Sequence, residues 1–368
     1  MADQKTTDAA VTSLLKRYYD QVFIETLEPK TYLHQFGIKK PMPKGKGKII
    51  EFTGYKTISP ILQNSNEYSS TQIYISAYTI TATLIQRHAY LQFTTLLKQT
   101  SIDPDVEGAV KEMGSMMART VECYLRGVVV GKVGTAARSS ANNLEINYLA
   151  ANNDMNGVIT GSSAQRTHYF WSPFPCLINK ARLSSSGASI CTMSGSAATI
   201  SQVRYGVTFL RDRNVPGFEG DDYVLYCNPM VADRLMADPA WKTWNNSQNS
   251  KETMWKGEVG RVFGARVVQS TCAFRYVYSA APLTTASGAF NASILLGKGA
   301  YGVSELTGAN KDKRGFSIYI KSPGPNSTND PNELLHTLGG KMVMTAAVLN
   351  KSAACVLLST DRVVSSAS

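Results

Sequence analysis

Few residues in this chain are spaced as chemistry requires. The one literal cofactor-loop match is Gly297-Lys298-Gly299-Ala300-Tyr301-Gly302, a G-x-G-x-x-G run after an apolar segment. Such a run cradles a dinucleotide when a helix follows and an acidic residue lies about 20 residues on. Here Val303-Ser304-Glu305-Leu306-Thr307-Gly308 follows, with no helical pattern, so the run reads as a structural turn. A phosphate loop would need Ser or Thr after Gly131-Lys132, and Val133 stands there. His34, His88, His168 and His336 show no metal-ligand spacing. No Ser sits in a G-x-S-x-G elbow. The six cysteines (Cys123, Cys176, Cys191, Cys227, Cys272, Cys355) are widely and irregularly spaced, with no C-x-x-C pair. They read as buried free thiols rather than a zinc site or a disulfide framework. The expectation is a non-enzyme with no catalytic, metal-binding or cofactor-binding residues.

One charged segment stands out. Lys39, Lys40, Lys44, Lys46 and Lys48 lie within ten residues that hold no acid. Lysines in such a strap can neutralise phosphates and release counterions, or contact a neighbouring subunit. The plainer reading is a solvated linker held extended by self-repulsion, and it is favoured, because no aromatic side chains interleave for base stacking. Its prolines and glycines argue against a regular element.

The elements that would position these residues follow from composition and periodicity. The chain has 368 residues, 38 Lys plus Arg and 27 Asp plus Glu, a net charge of +11. It is 43% hydrophobic but only 18% charged, against roughly 25% in an ordinary soluble domain. That composition excludes a disordered chain. No apolar run is long enough to span a membrane as a helix. Lys16 and Arg17 break the first apolar stretch, so no signal peptide is expected. The positive excess admits a polyanionic partner. The low charge fits a subunit that hides surface against neighbours, since interface cores are depleted of charge.

Apolar residues at helical spacing predict an amphipathic helix over 8–27, capped by Asp8 and stopped near Pro29. A strand at 48–53, a polar tip and a strand over 74–85 predict a long hairpin with little core of its own. Asp103-Pro104 starts a long helix whose stripe runs Val106, Val110, Met113, Met117, Val121, Tyr124, Val128. Residues 135–196 read as an irregular or short-stranded insertion. A helix over 199–213, a strand at Tyr223–Cys227 and short helices capped by Asn228 and Asp238 follow. Strands are predicted at 264–268, 292–296 and 316–321, and at 340–349 and 354–360 around an Asn350-Lys351 turn. The class is α+β.

Several segments in this order carry a resemblance. They are Phe36-Gly-Ile-Lys-Lys-Pro-Met-Pro-Lys-Gly-Lys-Gly-Lys-Ile-Ile-Glu-Phe52, Thr79-Ile-Thr-Ala-Thr83, Asp103-Pro104 and Tyr226-Cys-Asn-Pro-Met-Val-Ala-Asp-Arg-Leu235 with Asp238-Pro-Ala-Trp241. Gly257-Glu-Val-Gly-Arg-Val-Phe-Gly-Ala-Arg-Val267 and Leu295-Leu-Gly-Lys-Gly-Ala-Tyr-Gly-Val303 complete the set. Together they resemble the major capsid proteins of tailed bacteriophages, which have the Hong Kong ninety-seven fold, and within them the phage N-four major coat protein family. The likeness covers roughly 10–130 and 197–360.

The resemblance implies an N-terminal arm (1–47), an extended hairpin loop with its base strands (48–98) and a peripheral-domain spine helix (99–134). It further implies an axial domain (197–300) and returning peripheral-domain strands (301–368), with 135–196 an insertion of uncertain role. It implies hexamers and pentamers in an icosahedral virion shell, assembled in the host bacterial cytoplasm around double-stranded DNA held non-specifically. Portal, scaffold and cement proteins are the implied partners, the scaffold being a separate chain or none, with no membrane. The alternative within the fold is an encapsulin-like shell packing cargo protein. Outside it stand a monomeric nucleic-acid-binding protein and, on the glycine run alone, an enzyme.

Overall fold

The computed structural model describes residues 31–43, 45, 47–55, 74–94, 105–139, 143–148, 158–162, 168–178, 181–182, 189–192, 197–241, 258–279, 288–307, 316–321 and 334–362. The expected helix over 8–27 and the hairpin tip therefore lie outside the described residues. The described chain enters through a single helical turn, α1 (Leu33–Phe36), and two short strands, β1 (Ile38–Lys39) and β2 (Met42–Pro43). β3 (Ile49–Tyr55) and β4 (Ala77–Thr83) then form the expected hairpin, in register from Ile49↔Thr83 to Tyr55↔Ala77.

The predicted strand 74–85 corresponds to β4, which ends at Thr83. β5 (Ile85–Thr94), which starts at the last residue of that prediction, was not predicted and departs into a different sheet. Leu84 marks the crossing: its N–H still donates to Lys48 O at 2.8 Å, and its side chain packs on the small core under the hairpin. The period-2 phase shifts at this crossing: apolar Tyr78, Ile80, Ala82 and Leu84 give way to Ile85, Ala89, Leu91 and Phe93, so the adjacent pair Leu84-Ile85 marks it in the sequence.

The long helix is α2 (Asp105–Val129). Val110, Met113, Met117, Val121, Leu125 and Val129 are all buried, one stripe recurring every three to four residues. The insertion is indeed short-stranded: β6 (Lys132–Ser139), β7 (Asn143–Tyr148), β8 (Val158–Ser162), β9 (His168–Ser172), β10 (Cys176–Ile178), β11 (Ala181–Arg182) and β12 (Ser189–Thr192). Four of these make an antiparallel sheet in the order β12-β9-β6-β7.

The second half begins with α3 (Ile200–Asp212), β13 (Tyr223–Cys227) and α4 (Pro229–Ala237). Asn228 caps α4 as predicted, its Oδ1 accepting from Met230 N at 3.1 Å. Asp238 caps the next turn through Ala240 N at 3.0 Å and also reaches back to Ile200 N at the start of α3. Then come β14 (Glu258–Val262), β15 (Ala265–Gln269), β16 (Phe274–Ser279), β17 (Gly288–Leu296), β18 (Tyr301–Thr307), β19 (Phe316–Lys321), β20 (Leu335–Val348) and β21 (Ala354–Arg362).

Two larger sheets hold the main core. A nine-stranded sheet has the path β11-β10-β21-β17-β13-β15-β14, with β16 beside β17 and β8 beside β16. All five residues of β13 are buried, which explains the unbroken apolar run Tyr-Val-Leu-Tyr-Cys: the strand sits between parallel β15 and antiparallel β17 and meets no water on either face. The six-stranded sheet has the path β1-β18-β20-β19, with β2 beside β18 and β5 beside β20. Helix α2 packs on β20. A Cβ added at Gly340 would lie 2.9 Å from Met117 Cε and 3.1 Å from Met113 Sδ, so the helix sits where the strand has no side chain.

The resemblance put both final strands beside the spine helix. They flank the Asn350 turn as predicted, but they part there. β20 lies under α2, whereas β21 joins the nine-stranded sheet between β10 and β17.

Candidate functional site

The glycine run is a turn between β17 and β18, with no helix after it. Its first glycine is there for space. A Cβ at Gly297 would stand 2.3 Å from Val215 Cγ1 and 2.9 Å from Ala353 O. The histidines have separate structural neighbours. His34 pairs with Glu305; the ring of His336 stacks on Phe93 at 5.4 Å; His88 stands opposite Lys341 in the β5–β20 ladder; His168 lies in β9. Among the described residues no three His, Cys, Asp or Glu side chains are grouped to hold a metal. Among them, too, no helix is long and apolar enough to cross a membrane. Cys176, Cys227, Cys272 and Cys355 are buried free thiols and Cys123 is a half-buried one; the side chain of Cys191 lies outside the described residues.

The basic strap is more structured than a linker. β1 pairs in parallel with β18 (Ile38↔Gly302, Lys39↔Val303), and β2 follows on the same strand (Leu306↔Met42, Thr307↔Pro43). Its prolines permit this because the strap lies along a sheet edge, where a missing N–H breaks no interior ladder. The lysines part company. Lys39 and Lys48 are exposed. Lys40 is exposed too, but its ammonium donates to Glu51 O and sits 5.7 Å from the Phe52 ring centre. Lys40 thus fastens the strap to the hairpin base. Lys44 and Lys46 lie outside the described residues.

Ahead of the strap, sequence reasoning missed a buried anchor. Glu122 on α2 is fully buried, and both its oxygens accept from Leu33 N at 3.2 Å. Tyr301 donates its hydroxyl to Leu33 O, so the backbone at Leu33 is held on both sides. Burial pushes the Glu122 carboxyl up to about 8, with the nearby Tyr226 hydroxyl and Leu33 N–H pulling it part of the way back. The available signal was an acid between Val121 and Leu125 on the apolar side of the helix. A second buried acid, Asp222, takes Arg261 at 2.8 Å and Arg266 at 3.2 Å.

The hairpin presents the most exposed apolar surface. Only a small core of Met42, Ile50, Phe52 and Ala82 lies beneath its base. Outward stand Ile49, Tyr55, Tyr74, Ile75 and Tyr78, with Tyr55 75% and Tyr74 77% exposed. Tyr90 and Leu91 on β5 and Tyr319 on β19 add apolar surface on the six-stranded sheet. Exposed large apolar side chains on both faces of these strands are candidate contact surfaces. The geometry thus offers surfaces for contact among the described residues.

No family model and no curated protein matches the chain by sequence. Solved structures do match it in fold. The capsid protein of cyanophage P-SCSP1u aligns over 89% of this chain and 88% of its own, with a TM-score of 0.55 and 13% identity. That of Ralstonia phage GP4 aligns over 90% and 91%, at 0.54 and 12%. The acid-stable capsid of Helicobacter pylori bacteriophage KHP30 aligns over 87% of each chain, at 0.53 and 8%. At such identities the likeness is one of fold: this chain has the α+β, Hong Kong ninety-seven-type fold of phage capsid proteins.

Proposed function

We propose that this chain is a shell-forming protein, the major capsid protein of a tailed bacteriophage. The observation that carries the reading is the fold match over about nine-tenths of both partners. The hairpin adds support, because Tyr55 and Tyr74 stand exposed among the described residues. In this reading the hairpin reaches across a neighbouring subunit, and the segment before Leu33 reaches over another. Hexamers and pentamers tile a closed shell around double-stranded DNA, with portal and scaffold proteins as partners. Many repeated modest contacts make such a shell stable through avidity. The +11 charge suits a wall facing a polyanion without a dedicated binding site.

Electron microscopy of the expressed full chain tests this. Closed or partly closed shells are expected, alone or with a scaffold. A chain that stays monomeric under all conditions and binds DNA with a steep salt dependence is instead a nucleic-acid-binding protein. Shells that carry protein and no DNA from their natural source would make it an encapsulin-like compartment.

A further inference from the structure

We propose that Cys123 and Cys272 form an oxidisable dithiol, which a hydroperoxide converts into an intrachain disulfide tying α2 to the turn between β15 and β16. The inference rests on this chain's own geometry and stands whether or not the chain builds shells. Both cysteines are free thiols; Cys123 is half-buried and Cys272 is 6% exposed. Their side chains are hydrogen-bonding neighbours. The backbone keeps them so. Arg126, three residues beyond Cys123 and on the same helix face, donates from Nη1 to Cys272 O at 2.9 Å. Ser270 Oγ accepts from Cys272 N at 3.2 Å, fixing the turn from the other side.

The surroundings divide the labour between the two sulfurs. Contact with the Cys272 thiol, and more weakly Arg126 and Arg119, lower the Cys123 thiol, against the opposing effect of burial. Cys272 is pushed up, by the same contact and by burial, so it keeps its proton. Elsewhere burial raises the thiols of Cys227 and Cys355, which makes them poor nucleophiles. Only the half-exposed member of the pair combines thiolate character with access.

The step balances with a hydroperoxide as oxidant. The Cys123 thiolate attacks the peroxide oxygen, the O–O bond breaks, and hydroxide (taken up as water) leaves Cys123 as a sulfenic acid. The Cys272 sulfur then attacks the Cys123 sulfur. The S–O bond breaks, the S–S bond forms, and the thiol proton of Cys272 leaves with the hydroxyl as a second water. Two thiols lose two electrons and two protons, and hydrogen peroxide is reduced to two waters.

The test is thiol counting and peptide mapping on the folded full chain after a small excess of hydrogen peroxide. The expected result is loss of two thiols, a mass lower by about 2 Da, and one linked peptide pair holding Cys123 and Cys272 that dithiothreitol releases. Cys123→Ser and Cys272→Ala should each abolish the linked pair. Because Cys272 is buried, Cys123→Ser carries the test if the other variant does not fold. The proposal is overturned if both thiols still alkylate singly after peroxide, or if Cys123 proceeds to the sulfinic acid while Cys272 stays free.

Discussion

At the residue scale, Gly297 shows how a motif can be real and yet not chemical. The G-x-G-x-x-G spacing is satisfied, but its first glycine is demanded by Val215 and the Ala353 carbonyl, not by a phosphate. Gly297→Ala is expected to lower unfolding stability by about 1–3 kcal/mol, the usual cost of forcing a group into a packed site. Denaturant titration measures this, and no nicotinamide or nucleotide ligand should restore it. Glu122 offers a second residue-scale prediction. Its carboxyl rises from an ordinary 4.5 to about 8 in the folded chain, so the folded state holds the proton more tightly than the unfolded one. That contribution is complete below about pH 4.5 and declines as pH rises toward 8. Glu122→Gln keeps an acceptor for Leu33 N and removes the titration. Its stability relative to wild type should rise across that window by up to about 5 kcal/mol, read by denaturation at several pH values. A flat difference would refute the assignment. Lys40 and Lys39 separate in the same way: Lys40→Ala should cost about 0.5–1.5 kcal/mol through its lost hydrogen bond, while Lys39→Ala should fall within about 0.5 kcal/mol.

At the scale of elements, the hairpin β3–β4 is the part with most surface and least core. Deleting 55–75, which removes the tip and its flanking tyrosines, should leave the subunit folded by circular dichroism, because Tyr55, Tyr74 and Ile75, the described residues of that span, are exposed and outside the main core. Closed shells should be lost, as seen by electron microscopy. Normal particles from that deletion would sink the assembly role given to the hairpin. The elements also show how far sequence carries. Strands Tyr223–Cys227 and Phe316–Lys321 were legible to the residue, and helix α4 with its Asn228 cap to within one residue of its end at Ala237, because each is bounded by a Pro, an Asn or a clear end of the apolar run. The hairpin was legible as two alternating strands around a polar tip, without its register. The crossing at Leu84 was not read, although the apolar phase changes there from even to odd positions, with Leu84 and Ile85 adjacent. Nor was the pairing of the strap with β18, because edge pairing is made by backbone groups common to every residue. Glu122 escaped for a related reason: whether an acid among apolar neighbours is buried depends on Leu33, eighty-nine residues away.

At the scale of the whole molecule, the low charged fraction and the +11 excess act separately. The first matches a subunit with apolar surface left for neighbours. The second predicts retention of nucleic acid without sequence preference: nucleic acid in purified particles should resist nuclease until the shell is opened, and nuclease sensitivity in intact particles would argue against enclosure. One feature of the topology sets a limit of a different kind, on timing. β21 lies between β10 and β17 in the middle of the nine-stranded sheet, yet it comes from residues 354–362. Domains fold as units while the ribosome works from the N-terminus. Here the larger sheet stays split into β10 with β11 on one side and the rest on the other until residue 362 has cleared the exit tunnel. A nascent chain that already displays its hairpin therefore lacks the completed larger sheet behind it until β21 has emerged.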